Sequence, residues 1–120
     1  MKVRLSKDFH FEASHVLEHL AAEHPCRRLH GHGYRVAVEV CGEVDPKTGF
    51  LIDYAELKRT VGPVIARLDH CHLNDIEGLK FTTAEHIAAW LWQQIKPKLP
   101  ILSKITIHET ASTHCEYVGE

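Results

Sequence analysis

Between His30 and Val40 the chain reads HGHGYRVAVEV, and its even positions, His30, His32, Tyr34, Val36, Val38 and Val40, share one side of an extended backbone. Apolar residues at every second position suit a half-buried strand, and a slip of one residue would turn the whole row to solvent, so its pairing is strongly specified. Both histidines therefore point the same way. A similar row precedes it: Val3, Leu5, Phe9, Phe11, Ala13 and His15 predict a strand over Val3–His15, with an irregularity near Ser6–Asp8 and another histidine at its end. The two fit a hairpin joined by a long loop, VLEHLAAEHPCRRL, which carries Pro25 and Cys26 and has room for a short helical turn.

After a turn at Asp45–Gly49, FLIDYAEL leads into a helix with Asp53 as N-cap and Glu56 three residues on. Its buried stripe is Leu57, Val61, Val64, Ile65 and Leu68, and Gly62-Pro63 is expected to kink or interrupt it. A second helix is predicted from Thr83 to about Ile95, with Ile87, Trp90, Leu91 and Ile95 inward and Pro97 as its stop. Thr82 and Glu85 have the spacing of a capping box at its start. LSKITIHET and HCEYV then close the chain as two strands. The order strand, strand, helix, helix, strand, strand predicts an α+β fold, with an antiparallel four-stranded sheet and both helices on one face. At 120 residues, 1–120 reads as a single domain. The other sheet face and the sheet edges invite association with further copies.

A net charge of −2 and the absence of a basic block argue against a nucleic-acid partner or a membrane surface, although Arg27 and Arg28 could meet a small anion. No run approaches a membrane span, and the opening MKVRLSKDFHF lacks the apolar centre of a signal peptide, so a cytoplasmic location is expected. The four cysteines lack paired spacing and read as thiols rather than a disulfide frame.

Eleven histidines are the compositional outlier. His30 and His32 project together beside His15, and three imidazoles on one metal ion would leave a fourth position open, as in catalytic zinc sites. Gly31 between them would let the backbones approach closely. A rival H-x-H lies at His70 and His72, around Cys71. Asp69 and His70, where the first helix ends, suit proton transfer and equally suit capping of the last helical carbonyls. Beside Arg27, Arg28 and a metal, Cys26 would be stabilised as a thiolate and could serve as base or nucleophile, whereas Cys41 reads as a small buried apolar residue. Glu109 follows Ile105 and Ile107 on one strand face, where its carboxylate could meet the N–H groups of a heterocycle or simply face solvent. Thr83 could face a ligand at the helix start.

Together FEASH, CRRLHGHGY, GFLIDYAELK, LDHCHLND, TAEHIAAWLW and HET resemble the 6-pyruvoyl-tetrahydropterin synthase family over nearly the whole chain. The three-residue spacer between Cys26 and His30 is similar to that of its bacterial 6-carboxy-5,6,7,8-tetrahydropterin synthase branch; the pyruvoyl branch has a longer one. The resemblance implies that His15, His30 and His32 hold zinc, one ion per subunit, and that Cys26 is the catalytic thiol. Asp69 and His70 would complete a proton relay, and Glu109 would anchor a pterin ring and could join that relay. Phe81-Thr82 stands where the family often has Asn-Pro, which bears on a contact from Thr83. The implied fold is the tunnelling fold, in which the sheets of a trimer join into a barrel and trimers pair into hexamers. The implied substrate is 7,8-dihydroneopterin triphosphate, converted to 6-carboxy-5,6,7,8-tetrahydropterin with loss of acetaldehyde and triphosphate, in queuosine biosynthesis. A pyruvoyl-tetrahydropterin synthase and a non-catalytic zinc-binding assembly module are the alternatives.

Overall fold

The computed structural model describes residues 1–120. Strands β1 (Lys2–His15) and β2 (His30–Glu43) form a long antiparallel pair with unbroken register from Lys2↔Glu43 to His15↔His30. The expected irregularity at Ser6–Asp8 is absent, because each residue there keeps its partner across the ladder; the register shifts instead between β2 and β4, at Glu39/Val40. Then come helix α1 (Tyr54–Ala66), a two-residue strand β3 (Cys71–His72), helix α2 (Ala84–Ile95), and strands β4 (Leu102–Thr110) and β5 (Thr113–Tyr117). The sheet order is β3-β1-β2-β4-β5.

The sheet thus has five strands and is mixed, where the sequence predicts four antiparallel ones. The difference is β3, which runs parallel to β1 through Ala13↔Cys71 and Ser14↔His72. A strand edge needs partners for its N–H and C=O groups, and the chain leaving α1 supplies them to the end of β1. The remaining strands pair antiparallel, and the α+β class holds.

Inward residues of the sheet (Phe9, Phe11, Tyr34, Val36, Val38, Val40, Ile105, Ile107) meet Leu57, Val61, Val64 and Ile65 of α1 and Ile87, Trp90, Leu91 and Ile95 of α2 in one core. Phe11 and Tyr34 face each other across β1 and β2 with ring centroids 4.6 Å apart and planes 10° from parallel, a contact worth about 0.5–1.5 kcal/mol beyond burial alone. Asp53 caps α1 by accepting the Ala55 N–H at 2.8 Å. The helix runs through Gly62-Pro63 without interruption. Pro63 is exposed, so the carbonyl it leaves unbonded can face water while Val61, Val64 and Ile65 hold the turn against the core. At α2 the N-cap is Thr83 rather than Thr82, so no capping box forms with Glu85; the Thr83 hydroxyl meets His86 Nδ1 at 3.1 Å. The four cysteines are free thiols, and Cys41 is half-buried beside Arg4 on the outer sheet face rather than in the core. No helix is long and apolar enough to cross a membrane.

Candidate active site

Register decides the site. Because His15 pairs with His30 and Ala13 with His32, the inward side chains at this end of the hairpin are three imidazoles, above the Phe11–Tyr34 stack. Ring centroids of His15 lie 4.5 Å from His30 and 5.3 Å from His32, and those of His30 and His32 are 5.0 Å apart. One nitrogen of each lies within 4.8 Å of the others, so the three could hold a metal ion. The close approach is built into the backbone: a Cβ on Gly31 would sit 3.2 Å from the Ala13 carbonyl oxygen.

The hydrogen bonds fix what those nitrogens offer. His15 Nδ1 lies 2.8 Å from the Thr82 carbonyl and His30 Nδ1 lies 2.7 Å from the Arg28 carbonyl. A carbonyl only accepts, so each Nδ1 carries the proton and, in the neutral rings, each Nε2 is left with a lone pair. These two Nε2 atoms stand 2.9 Å apart. Two facing acceptors repel unless a cation lies between them, and His32 Nε2 is itself buried without a hydrogen-bond partner. His15 is fully buried, and burial lowers its pKa more than the Thr82 carbonyl raises it, which favours the neutral ring that binds metals. The donor set fits a metal ion with nitrogen ligands, and the Nδ1 bonds of His15 and His30 orient those two rings in the usual manner of such sites.

Glu109 on β4 joins this centre, its Oε1 3.3 Å from His32 Nε2 but not aligned as a hydrogen bond to it. The same strand end borders a recess of about 430 Å³ shared with Ala84, Glu85 and Cys115. Burial, and secondarily the Glu109 charge, push the Tyr34 phenol well above its ordinary range.

Asp69 and His70 sit on the other side of β1. Asp69 Oδ1 accepts the Glu12 N–H at 2.9 Å and lies 3.0 Å from His70 Nδ1, while the His70 N–H donates to the Glu12 carbonyl. The Glu12 N–H foremost, and the His70 ring secondarily, hold the Asp69 carboxyl below its usual pKa. His70 is committed to this corner and does not cap α1. A cleft of about 550 Å³ is walled by Glu12, Ser14, Gly31, Gly33, His70 and His72, with His32 at its border, and neither His15 nor His30 lines it. The rival histidine, His72, is turned to Ser14, with Nδ1 2.9 Å from its Oγ.

Cys26 lies in a short 3₁₀ turn, Pro25–Arg27, capped by the His24 ring, and its carbonyl accepts the Leu17 N–H at 3.0 Å. That bond folds the loop back onto the chain just past His15. The thiol is half-buried and outside the walls of the His70 cleft. The Thr83 hydroxyl bonds the His86 ring and makes no hydrogen bond to the three histidines. Glu12, the two ring-orienting carbonyls and the Tyr34 hydroxyl were not legible as site groups. Carbonyls leave no trace in a sequence, and Tyr34 reads as one more inward strand residue.

Residues 4–120 match the family described as 6-pyruvoyl tetrahydropterin synthase. A 6-carboxy-5,6,7,8-tetrahydropterin synthase of Synechocystis sp. is 38% identical over 92% of this chain and 89% of its own length. The human 6-pyruvoyl tetrahydrobiopterin synthase is 33% identical over 99% of this chain and 93% of its own. Among solved structures, the Caenorhabditis elegans 6-pyruvoyl tetrahydropterin synthase superposes with a TM-score of 0.92 at 30% identity, covering 100% of this chain and 97% of that one. With the match running almost end to end and the same fold beneath it, the chain belongs to the 6-pyruvoyl tetrahydropterin synthase family.

Proposed function

We propose that residues 1–120 form one catalytic domain, a zinc-dependent 6-carboxy-5,6,7,8-tetrahydropterin synthase. It would convert 7,8-dihydroneopterin triphosphate to 6-carboxy-5,6,7,8-tetrahydropterin, acetaldehyde and triphosphate, in the cytoplasm and in service of queuosine biosynthesis. The observation that carries this reading is the pair of bare Nε2 atoms of His15 and His30, 2.9 Å apart beside His32 and Glu109. The name of the Synechocystis relative and the three-residue spacer from Cys26 to His30 favour the carboxy product over the pyruvoyl one.

In this reading His15, His30 and His32 hold zinc, which when bound supplies a Lewis acid that eases deprotonation of a coordinated hydroxyl. Cys26, as the thiolate, takes a proton from a substrate carbon. His70, oriented by Asp69 at 3.0 Å, returns one and is reset through the open cleft. Glu109 accepts from the ring N–H groups of the pterin, and Thr83 adds a contact at the start of α2. The polar outer face and the edges at β3 and β5 are completed by further copies, as a trimer whose sheets close into a barrel or a pair of such trimers.

Incubation of the zinc-loaded protein with 7,8-dihydroneopterin triphosphate, followed by mass spectrometry, tests this. The expected product has the mass of 6-carboxytetrahydropterin. A product that keeps the side chain moves the assignment to the pyruvoyl activity, and an untouched substrate leaves only a zinc-binding module.

A further inference from the structure

β1 has β2 along one edge, while β3 covers the other edge for two residues only. Side chains meet the backbone groups on either side of that short cover. Before β3, the Glu12 N–H donates to Asp69 Oδ1 and the Glu12 carbonyl accepts the His70 N–H. After β3, one residue past the end of β1, a single side chain meets both groups of Val16. The Val16 N–H donates to Asn74 Oδ1 at 2.9 Å, and Asn74 Nδ2 donates to the Val16 carbonyl at 2.9 Å.

This pairing keeps the offset of the ladder, which sets Ala13 with Cys71 and Ser14 with His72. The main chain of Leu73–Asp75 has by then turned into a 3₁₀ helix, so the Asn74 amide stands in for the missing peptide. A primary amide offers a donor and an acceptor side by side, as a peptide unit does, and its two partners fix which way it faces. Leu73, fully buried, anchors that turn in the core.

What the clamp holds is the root of the loop that carries Cys26. The next N–H along, that of Leu17, donates to the Cys26 carbonyl at 3.0 Å, and the Cys26 N–H donates to the His24 ring at 3.1 Å. From Asn74 through Val16 and Leu17, hydrogen bonds and one peptide unit thus connect the body of the fold to the backbone of Cys26.

We propose that Asn74 is a positioning residue for Cys26: by closing the ladder past His15, it fixes the backbone on which the thiol is carried. Its consequence for turnover rests on the reading of Cys26 as the base, whereas the clamp itself does not.

The test treats zinc-loaded wild type, Asn74→Ala and Asn74→Asp with limiting iodoacetamide and reads the rate at each cysteine by mass spectrometry. In Asn74→Ala both bonds are gone, the loop opens more often, and Cys26 should label about tenfold faster. Cys41, beside Arg4 at the far end of the hairpin, should keep its rate. Asn74→Asp keeps an acceptor for the Val16 N–H but turns a carboxylate toward the Val16 carbonyl, so Cys26 should again label faster; this variant carries the test if Asn74→Ala does not fold. With 7,8-dihydroneopterin triphosphate, kcat should fall about tenfold or more at unchanged KM, as expected of a displaced reacting group. An unchanged Cys26 rate in both variants, an equal rise at Cys26 and Cys41, or a selective rise at Cys26 with unaltered kcat would each overturn the proposal. A wild type that leaves the pterin untouched removes the synthase reading alone, and the labelling comparison still decides Asn74.

Discussion

Two H-x-H motifs lie in this chain, His30-Gly31-His32 and His70-Cys71-His72, and they have opposite fates. The first opens a strand of 14 residues whose partner runs beside it throughout, so both rings are held inward and meet His15. The second coincides with a strand of two residues, and His70 has a φ of 58°, in the left-handed region. That backbone breaks the alternation. His70 swings out to Asp69 with a side chain 76% exposed, and His72 turns to Ser14. The spacing gathers imidazoles that could hold a metal only where a long ladder imposes β geometry on both residues and sets a third histidine opposite. Without the ladder, the same spacing leaves His70 exposed beside Asp69 and His72 against Ser14.

Metal loss should separate the two motifs most sharply. His32→Ala leaves two of three nitrogens and should lose its stoichiometric zinc on dialysis, whereas His72→Ala should retain it, by metal analysis of both. Full occupancy in the first with loss in the second would place the centre on the wrong motif. Next in size, His70→Ala should keep its zinc and its fold yet lower turnover of dihydroneopterin triphosphate by about 10²–10⁴-fold, the usual worth of a positioned proton-transfer group. Unchanged turnover would reduce this corner to a structural device.

The smallest effect is on stability, and it has a sign. The pKa of Asp69 is lowered in the folded protein, so its carboxylate stabilises the fold fully above the ordinary carboxylate range near about pH 4, and the contribution vanishes as pH falls through the depressed value. Asp69→Ala should therefore melt below the wild type at neutral pH and approach it in acid. Thermal scans between pH 7 and about pH 3 read this directly. A gap independent of pH would mean that the Glu12 N–H does not depend on the charge of Asp69.

Much of this molecule is written in its periodicities. The inward rows of β1 and β2, the stripes of α1 and α2 and the Asp53 cap are local matters of spacing and side-chain chemistry, and they follow from the chain read residue by residue. So does the common side shared by His30 and His32. Tertiary structure decided the remainder, because it depends on what lies across from each residue: the register that sets His15 against His30, the return of the chain as β3, and the carbonyls of Thr82 and Arg28 that fix which nitrogen is bare. Pro63 and the Thr82–Glu85 pair mark the same boundary. A local rule predicts a break and a cap there, and packing against a core the rule cannot see overrides the one while the N-cap at Thr83 displaces the other.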